Sequence, residues 1–118
     1  MEMWLKKFNF EVTIVNNSHD AIEMLKNRHF SHISLDYDLD YGNGGKADNS
    51  CPVAAHIKDN NIDSIIFIHS GAAENAVKLG KILGYEADVD KLYRDPLIAD
   101  KCIWIDKHKW SKEIQYYI

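Results

Sequence analysis

The sequence predicts one α/β domain with a mostly parallel sheet and helices on both of its faces. Apolar, strand-like runs alternate along the chain with segments of helical periodicity, which is typical of that class. The 118 residues are 46% hydrophobic and 27% charged. A chain of this length and composition buries enough apolar surface for one core. We therefore treat residues 1–118 as a single domain.

The first third of the chain is predicted as helix, strand and helix. A short leading helix follows from the spacing of three apolar residues, Trp4, Leu5 and Phe8. The first strand is predicted over Phe10–Val15, because its last four residues are all β-branched. A helix then begins at Asn17 or Ser18, which are both favourable caps, and runs to about Asn27.

The second strand, about Ser31–Leu35, runs into three alternating aspartates, Asp36, Asp38 and Asp40. A loop rich in Gly and Asn follows over Tyr41–Ser50. Ser50 as the cap and Pro52 at the start of the next segment predict a helix that ends near Asp59.

The third strand is the continuous apolar run Ile65–Ile68, a pattern that indicates burial on both faces. It ends at His69 and Ser70, and a helix follows until Gly84 stops it. The rest of the chain is predicted as an ambiguous stretch, a last strand and a closing helix: Asp88–Leu97, Cys102–Ile105 and Trp110–Tyr117.

Composition excludes several classes of function. A net charge of −4 argues against non-specific DNA binding, which requires a basic surface. No apolar run has the ~20 residues of a membrane span, and no signal peptide is evident, so we expect a cytoplasmic protein. Cys51 and Cys102 lie far apart and read as reduced thiols. The many Lys, Ile and Asn residues indicate an AT-rich genome, bacterial or viral.

Two strand ends carry the polar groups of a candidate site. Ligands of open α/β sheets bind outside the carboxyl ends of the strands, where Asp36 and Asp38 would meet His69 and Ser70. Carboxylates bind hard cations, so the aspartates, Asp40 included, are candidate ligands of Mg²⁺ or Mn²⁺. They are equally explained as turn and capping residues in a solvated loop.

His69 and Ser70 also have two interpretations. An imidazole can serve as general acid or base, and a Ser-Gly-Ala turn that opens a helix offers backbone N–H groups to an anion. Alternatively, Ser70 is only a helix cap and His69 only the last residue of a strand.

Two segments, Ile33–Leu39 and Ile68–Asn75, resemble a receiver-like family proposed to process cyclic phosphates. The first reads ISLDYDL beside the family's "SLDHDL" strand end, and the second supplies the "HS" strand end, then Gly71 and Asn75. The resemblance covers about Phe10–Leu83 and implies a receiver-like, flavodoxin-like three-layer sandwich. Tyr37 stands where the family has His, and we expect the family's first strand and its acidic pair to be missing.

The resemblance implies hydrolysis of a cyclic phosphate on a nucleotide or an RNA end. Asp36 and Asp38 would hold a divalent metal or orient water, and His69 would protonate the leaving oxygen. Ser70, Gly71 and Asn75 would contact the ligand. Lys107 follows the last strand, where a receiver has the lysine that contacts its phosphoryl group.

Two other functions stay open. The domain could be a catalytically inactive module that binds a nucleotide or a protein, as a small phage-encoded inhibitor does. Its C-terminal aromatic residues would then bind the partner or a second copy. It could also be a phospho-accepting receiver, although the missing acidic pair weighs against aspartyl phosphorylation.

Overall fold

The computed structural model describes residues 12–39 and 48–106. In chain order the elements are α1 (Ser18–Asn27), β1 (His32–Asp36), β2 (Asp38–Leu39), β3 (Asp48–Asn49), α2 (Cys51–Asp59), β4 (Ile65–Ser70), α3 (Ala73–Ile82), α4 (Val89–Arg94), β5 (Leu97–Ala99) and β6 (Cys102–Asp106). The leading helix predicted near Trp4 and the closing helix predicted over Trp110–Tyr117 lie outside the described residues.

The main sheet has the strand order β1-β4-β6-β5. β1, β4 and β6 are parallel, and β5 runs antiparallel to β6. The prediction of an α/β domain with a mostly parallel sheet is therefore confirmed. β2 and β3 form a separate antiparallel pair between β1 and α2.

One face of the sheet carries the described helices. On this face, alternate residues of the three parallel strands pack against α2, α3 and α4 to form the core. The strand residues are Leu35, Ile66, Ile68, Cys102 and Trp104, and the helix residues are Val53, Ala76, Leu79 and Leu92. Apolar residues of α1 pack against the same cluster. The opposite face presents Phe67, Ile103 and Ile105, which are also buried.

Local signals place most helix ends correctly. The Asn17 side chain accepts a hydrogen bond of 2.8 Å from the Asp20 N–H and so caps α1. Gly84, with φ of 98°, follows α3, because this backbone conformation suits glycine. None of the described helices is long and apolar enough to cross a membrane.

The prediction of a strand over Phe10–Val15 is wrong in the part that the structure describes, residues 12–15. Residues 12–16 have no regular structure, and Ile14 is 54% exposed. β-Branched residues favour a strand only where a neighbouring strand can pair with it. The sequence also missed β5, whose connection to β6 includes a 2.9 Å hydrogen bond from the Trp104 N–H to the Pro96 carbonyl.

Candidate functional site

The carboxyl ends of β1, β4 and β6 meet at one edge of the sheet. Asp36 is the register partner of His69, and Ser70 is the register partner of Asp106. Two predicted groups, a carboxylate and an imidazole, are therefore side by side on neighbouring strands. The structure brings this pair together as the sequence led us to expect.

Strand alternation separates the predicted pair His69 and Ser70. His69 lies on the face of Phe67, together with Asp36, whereas Ser70 lies on the face of Ile68 and Trp104. Asp36 and His69 are both half-buried, and the His69 Nε2 atom is buried. Of the groups predicted for one crevice, Asp36 and His69 thus share a face of the sheet.

The Ser70 hydroxyl is engaged inside the protein. Ser70 is only 3% exposed, and its Oγ donates to the Ala72 carbonyl at 2.6 Å. The Trp104 indole N–H donates to both the Ser70 Oγ and the Ser70 carbonyl, at 3.2 and 3.3 Å. A phosphate oxygen would have to compete with Ala72 for the single hydroxyl proton, so phosphate binding by Ser70 stays a prediction.

Helix α3 begins two residues later than a Ser70 cap would require. Its N-cap is Ala72, whose side chain makes no capping bond, and the exposed Gly71 precedes it. Asn75 is half-buried in the first turn, where its N–H bonds the Ala72 carbonyl at 3.2 Å. The start of α3 is adjacent to the end of β4, as an anion site there requires.

Ser50 fixes the end of β1. Its Oγ donates to the Asp36 carbonyl at 2.5 Å, and its N–H donates to the Tyr37 carbonyl at 3.0 Å. Tyr37 in turn donates its N–H to the His69 carbonyl at 3.2 Å. The sequence predicts Ser50 as the cap of α2; it occupies that position, but its hydroxyl serves β1 instead.

Asp48 joins the same region to α1. Its carboxylate accepts hydrogen bonds from the Ser18 N–H at 2.6 Å and from the Ser18 Oγ at 2.9 Å. The bond from the Ser18 N–H is the main cause that holds the pKa of Asp48 below its usual value. This contact spans 30 residues and was not predicted.

The predicted metal ligands are only partly described. Asp38 is exposed in β2, where it pairs with Asn49, whereas Asp40 and Lys107 lie outside the described residues. Within residues 12–39 and 48–106, no three His, Cys, Asp or Glu side chains are grouped to hold a metal ion. Binding of Mg²⁺ or Mn²⁺ by Asp36, Asp38 and Asp40 therefore stays a prediction.

Sequence reasoning missed Lys78 of α3. Its Nζ lies 5.8 Å from the centre of the Tyr37 ring, immediately after β1. The neighbouring Tyr37 side chain is the main cause that raises the pKa of Lys78, and Cys51 contributes less. Lys78 is exposed, so at neutral pH it places a positive charge beside Tyr37, just after β1. The sequence could have indicated Lys78 through its position three residues after Asn75, which places the two residues on one side of the helix.

Comparison with known proteins identifies the family. The family model of the cyclic-phosphate processing Receiver domain matches residues 5–84, more than half of the chain. The chain belongs to that family, and the resemblance drawn from the two strand-end motifs is confirmed. No match is found among curated proteins or among solved structures.

Proposed function

We propose that this member of the cyclic-phosphate processing Receiver domain family hydrolyses a cyclic phosphate on a nucleotide or an RNA end. The observation that carries the proposal is the register pairing of Asp36 with His69 at the carboxyl ends of β1 and β4. Ligands of open α/β sheets bind at such strand ends. A carboxylate and an imidazole on one face supply the two proton-transfer groups that the reaction needs.

The reaction adds one water molecule to a cyclic phosphodiester. The water oxygen forms a new bond to phosphorus, and one of the two ring P–O bonds breaks. In our assignment Asp36 orients the water and accepts its proton, while His69 donates a proton to the leaving oxygen. The product is a phosphate monoester with a neighbouring free hydroxyl.

Two features support anion binding at the same end of the sheet. The first N–H groups of α3 receive no side-chain cap from Ala72, and a helix start favours negative charge. Lys78 adds a cation near Tyr37. We assign Gly71 and Asn75 to the ligand through their place before and within the first turn of α3.

A binding module without turnover is the second candidate. The observation that favours it is that the buried Ser70 hydroxyl, predicted to contact the ligand, already bonds to Ala72 and Trp104 within the protein. Such a module would retain the crevice, bind a nucleotide there, and leave the ring phosphate intact.

The test measures binding and turnover of cyclic mononucleotides and of an RNA oligonucleotide with a cyclic phosphate end. His69→Ala should abolish turnover and change affinity less, whereas Lys78→Ala should weaken affinity. His19→Ala, which changes an exposed histidine of α1, is the matched control for His69→Ala and should leave turnover and affinity unchanged. Binding without turnover in the wild type would favour the binding module. Absence of binding would refute both functions.

A further inference from the structure

A surface cleft lies at the amino ends of β1 and β4. Three segments bound it: the last turn of α1, the connection from α1 to β1, and the connection from α2 to β4. Its volume is about 450 Å³, which is the size of a small-molecule site, and every residue that lines it lies within residues 12–39 and 48–106. The candidate site lies at the carboxyl ends of the same strands, so the length of β1, about 16 Å, separates the two.

Hydrogen bonds hold one wall of the cleft in place. Asn61 follows α2 with φ of 50°, and its N–H donates to the Lys58 carbonyl at 3.2 Å. The N–H of the next residue, Ile62, donates to the Ile57 carbonyl at 3.1 Å. These two bonds form the Schellman motif that ends a helix. The cleft is therefore shaped before any ligand binds.

The lining of the cleft combines apolar side chains with amides. Leu25, Phe30 and Ile62 are half-buried, and Leu25 and Ile62 also pack against the core. Asn27 and Asn61 are exposed, and each amide carries both hydrogen-bond donors and an acceptor. This lining suits a ligand that has apolar faces and a polar edge.

The charges around the cleft favour an uncharged ligand. Lys26 pairs with Glu23 at 3.2 Å, and Asp63 pairs with Lys101 at 2.7 Å, so both lining charges are already balanced within the chain. α1 and α2 both end beside the cleft, and the partial negative charge of helix carboxyl ends disfavours an anion. The Arg28 guanidinium, which also lines the cleft, disfavours a cation.

We propose that this cleft binds the base of a nucleoside. A nucleobase is planar and uncharged near neutral pH, and it carries donors and acceptors along its edge. The base lies against the pair formed by Phe30 and Arg28, whose guanidinium is 5.2 Å from the ring centre, and its edge bonds to the Asn61 amide. The Asn27 Nδ2 already donates to the Glu23 carbonyl at 2.7 Å, so Asn27 contributes its Oδ1 and its second N–H. This inference goes beyond the proposed function and does not depend on it.

The first test is a titration of the isotope-labelled protein with adenosine, followed by NMR. The backbone N–H signals of Asn61 and Ile62 should shift, with a dissociation constant on the order of 0.1–1 mM for a ligand of this size. The signals of Gly71 and Asn75 at the candidate site should stay in place, because adenosine has no phosphate group. Inorganic phosphate should leave the signals of Asn61 and Ile62 unchanged.

Three variants test the two kinds of contact. Asn61→Gly removes the amide and suits the positive φ of this position, so it should keep the fold and weaken adenosine binding about five- to tenfold. Phe30→Leu keeps an apolar side chain but removes the ring, and should weaken binding about tenfold or more. Asn16→Gly is the matched control: it removes an exposed amide beyond the other end of α1, about 15 Å away, and should have no effect.

The trinucleotide ApApA distinguishes a free nucleoside from an RNA strand as the source of the base. If it shifts the same signals of Asn61 and Ile62 at lower concentration than adenosine does, the source is RNA; equal or weaker binding indicates the nucleoside. Four outcomes overturn the proposal: unchanged signals of Asn61 and Ile62 in millimolar adenosine, shifts confined to Gly71 and Asn75, an Asn61→Gly variant that binds adenosine as tightly as the wild type, or shifts of the Asn61 signal with inorganic phosphate.

Discussion

The Ser50 hydroxyl should contribute about 1 kcal/mol to the stability of the domain. Ser50 is 2% exposed, and its hydroxyl donates a hydrogen bond to the Asp36 carbonyl. A neutral hydrogen bond contributes about 0.5–1.5 kcal/mol net, and a carbonyl that water cannot reach would cost more. Asp36 is half-buried, so water can replace part of the lost bond in Ser50→Ala. No capping energy is lost, because the hydroxyl does not cap α2.

Ser64→Ala is the matched control. Ser64 is 6% exposed, and its Oγ donates to the Phe30 carbonyl at 2.5 Å, just before β1. The two serines thus make the same bond at opposite ends of one strand. Both variants should lose about 1 kcal/mol, or about 4 °C in Tm for a domain of this size. Only Ser50→Ala loosens the end that carries Asp36, so only this variant should weaken binding of a cyclic mononucleotide.

Urea unfolding followed by circular dichroism gives the two stabilities, and calorimetric titration gives the two affinities. A loss below about 0.3 kcal/mol in Ser50→Ala, with the expected loss in Ser64→Ala, would refute the role of the Ser50 bond. A loss above about 3 kcal/mol would show that Ser50 supports more than one bond. An equal loss of affinity in both variants would show that binding follows global stability rather than the position of Asp36.

Four other perturbations test the fold and the electrostatics. Asp48→Ala should cost about 1 kcal/mol by removing the acceptor for Ser18 at the start of α1. Hydrogen bonds lower the pKa of Asp48, so its contribution to stability is full above the ordinary value of 3.8 and is lost as pH falls through the lower folded-state value. The urea unfolding midpoints of the wild type and of Asp48→Ala, measured against pH, check this. Burial lowers the pKa of His32 below 6.5, so stability should fall as pH drops through 6.5 towards the folded-state value. In the same urea assay, His32→Gln should reduce this dependence of stability on pH. Asp38→Asn should leave the free energy of urea unfolding in metal-free buffer unchanged or slightly raised, because it removes like-charge repulsion with Asp36; a loss of several kcal/mol would contradict this. Deleting Lys101–Ile118 removes β6 from between β4 and β5 and should give an insoluble or molten chain, whereas a soluble chain with cooperative unfolding would contradict the expectation.

The sequence by itself determined the elements whose signals are local. Asn17 caps α1, Gly84 follows α3, and the apolar run at Ile65 forms β4, because each depends on neighbouring residues alone. The motifs at Asp36 and His69 identified the family and the edge of the sheet that carries the candidate site. When parallel strands that end in polar residues pair, these residues come together at the carboxyl edge of the sheet.

The tertiary structure alone decided which groups face each other across long stretches of chain. Residues 12–15 have the composition of a strand but pair with none of the described strands, whereas the three residues of β5 become a strand because β6 lies beside them. The donor to the Ser70 hydroxyl and the acceptor of the Ser50 hydroxyl depend in the same way on packing. Trp104 reaches Ser70 from 34 residues away, and Ser50 reaches back 14 residues to Asp36. A short polar side chain has several possible partners of similar energy, so its choice is settled by the packed core around it and not by its neighbours in sequence.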